Sequence, residues 1–176
     1  MRRLETIKAT DDLREAELIR LMETYGDMLA GLCTALTRDA DLAQDVVQET
    51  FLRAYKGLSG YRGGRAQERA WLTRIAVNLC RDLSRSKWFR WVDRRVSLDS
   101  LPEPSIPAAE QDWQLYDAVQ SLPDKLREVV VLRYHQSMDT EDIARVLGTT
   151  RTTIYRRLDR AYGILKTKLE EAEHDE

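Results

Sequence analysis

The stretch Thr140-Glu141-Asp142-Ile143-Ala144-Arg145-Val146-Leu147-Gly148-Thr149-Thr150-Arg151-Thr152-Thr153-Ile154-Tyr155-Arg156-Arg157-Leu158 reads as two helices across a tight turn. Glu141 and Asp142 fall in the first turn of a short amphipathic helix, where carboxylates favour the helix dipole. Gly148 stops that helix, because glycine enters the left-handed cap conformation without steric cost. Thr150 offers a side-chain oxygen to cap the next helix, which buries Ile154, Leu158, Ala161 and Leu165. The pattern is a helix-turn-helix. Its outward residues, Arg151, Thr152, Tyr155, Arg156, Asp159 and Arg160, gather in the N-terminal half of the second helix, the part of such a motif that enters a major groove. Nine steps of about 1.5 Å carry Arg151 to Arg160 over about 14 Å, enough for roughly four base pairs. Asp159 is the awkward member: its carboxylate must avoid phosphates, accept from a cytosine amine or pair with Arg156.

Outside this motif apolar residues recur at intervals of three and four, glycine is scarce and β-branched alternation is absent, so the chain reads as all-α. At roughly 150 residues per domain, 176 residues hold one or two domains. Three of the four prolines, Pro102, Pro104 and Pro107, fall within six residues and mark 92–109 as a flexible linker. The expected architecture is therefore two small helical domains, 1–91 and 110–176, joined by that Pro-rich linker, the second a helix-turn-helix, winged-helix-like domain. Helices are expected at about Asp11–Leu36, with a bend near Gly26, Asp41–Leu58 and Gln67–Trp88. The loop Tyr61-Arg62-Gly63-Gly64-Arg65 connects the last two. Beyond the linker, helices are expected at about Glu110–Ser121, Pro123–His135, Thr140–Leu147 and Thr150–Leu169, followed by a fraying acidic tail.

Apolar residues at 43% and charged residues at 33% describe neither a disordered nor a membrane chain. No run approaches the roughly 20 apolar residues of a membrane span, and Met1-Arg2-Arg3-Leu4-Glu5 does not open a signal peptide, so the protein is expected in the cytosol with no membrane insertion. Cys33 and Cys80 stand far apart in helical patterns, and neither His135 nor His174 is near them in sequence. A metal site or disulfide framework is disfavoured, no cofactor is implied, and both cysteines are expected to be small buried hydrophobes.

Net charge is −2, yet it is segregated. From Arg62 to Arg95 ten basic residues face Glu68, Asp82 and Asp93, a net of +7, and from Arg145 to Lys168 seven face Asp159, a net of +6. Between them Ser97 to Asp124 carries six carboxylates and no Lys or Arg. Two basic blocks held apart by an acidic one point to two footprints on a polyanion, the alternative being ordinary solvated helix faces.

The third helix carries a core stripe, Leu72, Ile75, Ala76, Leu79 and Leu83, and beside it Trp71, Arg74, Asn78, Arg81 and Arg85 at helical spacing. Guanidinium groups bind phosphates, an indole stacks and an amide both donates to and accepts from a base edge, which is what holding an unpaired strand requires. The bland alternative puts Trp71 in the core and the arginines in solvent. The second helix buries Ala43, Val46, Val47, Thr50 and Ala54 and turns Asp41, Gln44, Asp45, Gln48, Glu49, Leu52 and Arg53 outward or sideways. That acidic, amide-rich face would repel phosphate, so its expected partner is a protein with basic side chains.

At this point the residues resemble a known family. Asp41-Leu42-Ala43-Gln44-Asp45-Val46-Val47-Gln48-Glu49-Thr50-Phe51-Leu52-Arg53-Ala54-Tyr55 is similar to region 2.2 of bacterial sigma factors of the extracytoplasmic function group, within the sigma-70 family. Trp71-Leu72-Thr73-Arg74-Ile75-Ala76-Val77-Asn78 resembles the start of region 2.4, Leu122-Pro123 with Arg127, Val130 and Leu132 resembles region 4.1, and the helix-turn-helix corresponds to region 4.2. The resemblance implies a two-domain transcription initiation factor that binds core RNA polymerase through the β′ clamp helices and the β flap. In it Asp41, Gln44, Asp45, Gln48, Glu49 and Leu52 would meet polymerase. Arg62, Arg65, Trp71, Arg74, Asn78, Arg81 and Arg85 would meet the minus-10 element as a non-template single strand, with Asn78 receiving a flipped base and Ser59 to Ala66 forming its pocket. Arg151, Thr152, Tyr155, Arg156, Asp159 and Arg160 would meet the minus-35 duplex. An anti-sigma factor is implied as a further partner, and the free chain is expected to be a monomer. The chain departs from the family where Thr150-Arg151-Thr152-Thr153-Ile154 replaces the usual Pro-Val-Gly-Thr-Val, and where Asp159 replaces an aromatic or His. No C-terminal regulatory extension is seen, so control by occlusion is expected from a separate polypeptide.

Two other classes compete. A conventional helix-turn-helix repressor would dimerise on a palindromic operator and leaves the acidic second helix unexplained. An enzyme finds no P-loop, metal-ligand cluster, nucleophile elbow or paired His and Cys in this chain.

Overall fold

The computed structural model describes the backbone of residues 2–93 and 110–174, and the side chains of residues 12–84 and 114–172. Every regular element among them is helical. Most of the linker placed at 92–109 lies outside the described residues.

The first half is built from α1 (Arg2–Thr37), α2 (Ala40–Gly57) and α3 (Arg65–Asp93), each packed on the other two. Leu21, Leu29, Leu32, Cys33 and Leu36 bury one stripe of α1. α1 begins nine residues before the expected Asp11 and passes through Gly26 without a break. It ends where Arg38 turns to a left-handed φ of 59°, and Asp39 then caps α2 by accepting from the Leu42 amide at 3.0 Å. In α2 the buried set is Ala43, Val46, Thr50, Phe51 and Ala54, with Val47 half-buried. A 3-10 turn, Leu58–Gly60, leads into the loop before α3. α3 runs five residues past the expected Trp88 and buries a broader face than the stripe Leu72, Ile75, Ala76, Leu79 and Leu83: Thr73, Val77 and Cys80 are buried as well, while Ile75 and Leu83 are half-buried.

The second half comprises α4 (Glu110–Gln120), α5 (Asp124–Val130), α6 (Thr140–Leu147) and α7 (Arg151–His174), with α4, α5 and α6 all packed on α7. The helix expected over Pro123–His135 changes type partway: Val131–His135 is π-helical, and the Gln136 amide donates to the Val131 carbonyl at 3.1 Å. In this register the exposed His135 ring lies against Gly31 of α1 while Gln136 is buried. α7 carries the acidic tail in helix as far as His174, where fraying was expected from Glu170 onward. The helix-turn-helix is formed as the sequence spells it. Asp139 accepts from the Asp142 amide at 2.7 Å, Gly148 caps α6 with φ 64° and ψ 41°, and the Thr153 amide donates to Thr150 Oγ1 at 3.2 Å.

The halves also touch each other. α3 packs on α6, and α1 packs on α5 and on the π-helical segment.

Candidate functional site

Asp41, Gln44, Asp45, Gln48 and Leu52 are all exposed on one face of α2, opposite its buried stripe, and Leu52 keeps 52% of its surface. Glu49 is half-buried and accepts from Arg53 Nε at 2.8 Å. A carboxylate-rich helix face with an unburied leucine at its edge has chemistry complementary to a protein surface with basic side chains.

The minus-10 candidates divide. Arg62, Arg65, Arg74 and Asn78 are exposed. Trp71 is half-buried, and Tyr61 stacks on it with centroids 4.4 Å apart, so one face of the indole is already covered from within the loop. Burial raises the Tyr61 phenol above its ordinary pKa, and its hydroxyl donates to the Gly64 carbonyl at 3.1 Å. Arg62 donates to the Ser59 carbonyl at 3.2 Å, which folds the loop onto itself. Beneath the loop Glu68, 5% exposed, accepts from Arg20 at 2.7 Å and from the Tyr25 hydroxyl at 3.3 Å, tying the start of α3 to α1. Arg20 is raised above its ordinary pKa by its hydrogen bonds to Glu17 and Glu68, and Tyr25 is raised by burial and then by the Glu68 charge.

Arg81 departs from the expected stripe. Its Nε and Nη2 donate to Glu128 Oε1 and Oε2, both at 2.7 Å, so this guanidinium binds a carboxylate of the second half instead of facing solvent. The hydrogen bonds to Glu128 raise its pKa. The side chain of Arg85 lies outside the described residues.

On α7 Arg151, Thr152, Tyr155, Arg156, Asp159 and Arg160 are all exposed, as the helical phase of Ile154, Leu158 and Ala161 requires. Thr140 Oγ1 donates to the Tyr155 hydroxyl at 3.3 Å; this contact, with Arg151, holds the phenol below its ordinary pKa. Among the described residues Asp159 makes no ion pair, so pairing with Arg156 is not how this chain accommodates it.

Residues 21–90 match sigma-70 region 2, and residues 112–165 match sigma-70 region 4. The RNA polymerase sigma-H factor of Pseudomonas aeruginosa is 31% identical, over 92% of this chain and 91% of that protein. The ECF RNA polymerase sigma factor SigL of Mycobacterium tuberculosis is 35% identical, over 89% of this chain and 92% of its own length. This chain belongs to the extracytoplasmic function group of the sigma-70 family. It is an RNA polymerase sigma factor that directs promoter-specific transcription initiation, in a family of non-catalytic initiation factors. Its fold is shared with the sigma factor RpoE of Bartonella quintana, solved in complex with the anti-sigma factor NepR, at a TM-score of 0.73 and 21% identity over 88% of this chain and 97% of that one. CnrH, solved with the cytosolic domain of CnrY, matches at a TM-score of 0.64 and 24% identity over 89% and 90%. Among the described residues of this sigma factor no helix is long and apolar enough to cross a membrane.

Sequence reasoning missed two features of the factor. Glu68 stands four residues before Leu72, in phase with the buried stripe, so a carboxylate at a core position was visible and called for a buried cation. Glu128 gave no such signal, because Leu126 through Leu132 are all buried and the segment has no periodic outer face.

Proposed function

We propose that residues 1–91 form the region 2 domain, 92–109 the linker and 110–176 the region 4 domain, and that each carries one class of contact. The α2 face of Asp41, Gln44, Asp45, Gln48, Glu49 and Leu52 docks on the β′ clamp helices of core RNA polymerase, while the region 4 domain engages the β flap. Arg62, Arg65, Trp71, Arg74, Asn78, Arg81 and Arg85 take the non-template strand of the minus-10 element, with the Tyr61-backed indole as the floor of a pocket and Asn78 as its reader. Arg151, Thr152, Tyr155, Arg156, Asp159 and Arg160 take the minus-35 duplex. A flipped base loses a few kcal/mol of stacking and pairing, and a fitted pocket returns a comparable amount, so melting is coupled to recognition without hydrolysis. The factor works in the cytoplasm, and an anti-sigma protein is its expected antagonist.

The observation that carries this reading is the separation of chemistry within one small helical unit. α2 exposes carboxylates and amides where α3 exposes Arg74 and Asn78, so protein and nucleic acid can be held at once. Gel filtration with bacterial core polymerase tests it. The wild-type chain should co-elute with the enzyme, and an Asp45→Arg/Gln48→Ala double variant should not. Co-elution of the double variant with the enzyme as fully as the wild type would overturn the docking role of α2.

A further inference from the structure

The contacts between the two halves are too specific for incidental packing. Glu128 is 6% exposed and spends both carboxylate oxygens on Arg81. Gln136, 1% exposed, donates to the Met28 carbonyl of α1 at 3.3 Å, and its own backbone carbonyl accepts from Arg69 of α3. Arg127, also buried, donates to the Leu36 carbonyl at 3.3 Å, at the C-terminal end of α1 where unsatisfied carbonyls and the helix dipole attract a cation. The His135 ring seats on Gly31 so closely that a Cβ there would stand 2.7 Å from His135 Cε1. These second-half groups come from one continuous segment, residues 127–136, and the π-helical register is what turns His135 and Gln136 towards α1. The paired atoms also answer one another chemically: carboxylate to guanidinium, amide to carbonyl, ring to glycine.

We propose that residues 127–136 form an intramolecular clasp on α1 and α3, in which Glu128 occupies Arg81 as a phosphate would, and that the clasp must open before α3 can hold a DNA strand. The proposal rests on the reading of α3 as the strand-binding helix. A carboxylate bound through both oxygens to one guanidinium presents the same fork that a phosphate presents, so the two ligands exclude each other on Arg81. The first helix of the helix-turn-helix is carried onto α3 by the same closure, and the turn at Gly148 and Thr149 lines one cleft of about 400 Å³ with Arg81 and Glu128. Opening exposes Glu128 and Gln136 to water, which solvates them, so the closed and open states differ by an exchange of partners without loss of either fold.

Small-angle scattering and anisotropy titration of a labelled single-stranded oligonucleotide test the clasp on the full chain. Gly31→Leu should wedge His135 away without touching a proposed DNA contact, and a leucine within α1 favours helix, so the first half keeps its fold. The expected result is a larger radius of gyration than wild type and about tenfold tighter strand binding, the gain expected when a minor competent state becomes the major one. Glu128→Arg should also expand the chain, and Arg81→Glu added to it should restore compactness by reversing the pair. A wild type already as extended as Gly31→Leu, or a charge reversal that fails to restore compactness, would overturn the clasp. Expansion by Gly31→Leu with no gain in strand binding would overturn the gating. If Asn78→Ala were then also without effect on strand binding, the reading of α3 itself would be at fault.

Discussion

Asn78 sits between Arg74 and the paired Arg81 on α3, exposed, with the buried Val77 and Leu79 fixing its direction. An amide can donate and accept at once, so it can read a base edge, whereas its arginine neighbours can only donate. Removing it should therefore weaken capture of the opened strand and leave α2 untouched. Asn78→Ala is expected to lower open-complex formation about fivefold, corresponding to about 1 kcal/mol for a lost hydrogen bond. Permanganate footprinting of the melted region, run beside a core-binding titration, measures the two effects separately, and equal losses in both would contradict the role assigned to it. The same scale shows why Trp71 is better described as half of a pair. With Tyr61 stacked on it and the half-buried ring packed against the core, the indole is held rigid, so the aromatic surface belongs to the loop and the helix jointly.

Among the elements, the helix-turn-helix depends most on a single backbone conformation. Gly148 holds φ 64° with nothing within 4 Å of where a Cβ would stand, so a substitution there meets backbone strain and no steric wall. Gly148→Ala should cost about 1–2 kcal/mol and Gly148→Asn less, since asparagine tolerates the left-handed region. Thermal denaturation followed by circular dichroism checks the order; for a unit of this size each kcal/mol is worth about 4–8 °C. This motif was legible because its devices are local: acidic residues in the first turn, an apolar face at helical spacing, a glycine, a threonine cap. The acidic face of α2 was legible for the same reason. The change from α5 into a π-helix was not, since Leu126 to Leu132 is apolar or buried throughout and nothing local distinguishes one register from the other. The Arg81 partner was hidden more deeply. Spacing on α3 places that guanidinium beside Asn78, but the carboxylate that claims it lies 47 residues away, and only tertiary packing brings the two together.

At the scale of the whole molecule, two basic blocks belong to a chain whose net charge is −2. Part of the first block is neutralised internally, because Arg81 spends its charge on Glu128, and outside the blocks Arg20 and Arg127 are paired with Glu68 and Asp124. Among the described residues the exposed cations include Arg62, Arg65 and Arg74 on one side and Arg151, Arg156 and Arg160 on the other, in two separate patches. Neutralising a few phosphates with each patch gives weak, salt-sensitive affinity, in the range of about 10⁻⁴–10⁻⁶ M for contacts without sequence readout. On the proposed reading polymerase changes the balance by holding both patches over one promoter, so that the second contact forms at high effective concentration. The free chain should accordingly bind a promoter duplex only weakly at physiological salt and tightly once core polymerase is present. Arg156→Ala should lower the salt slope of the complex by roughly one unit, as the loss of one phosphate contact does. Filter binding across a salt series measures both quantities, and nanomolar affinity of the isolated chain would show that the two patches need no polymerase to act together.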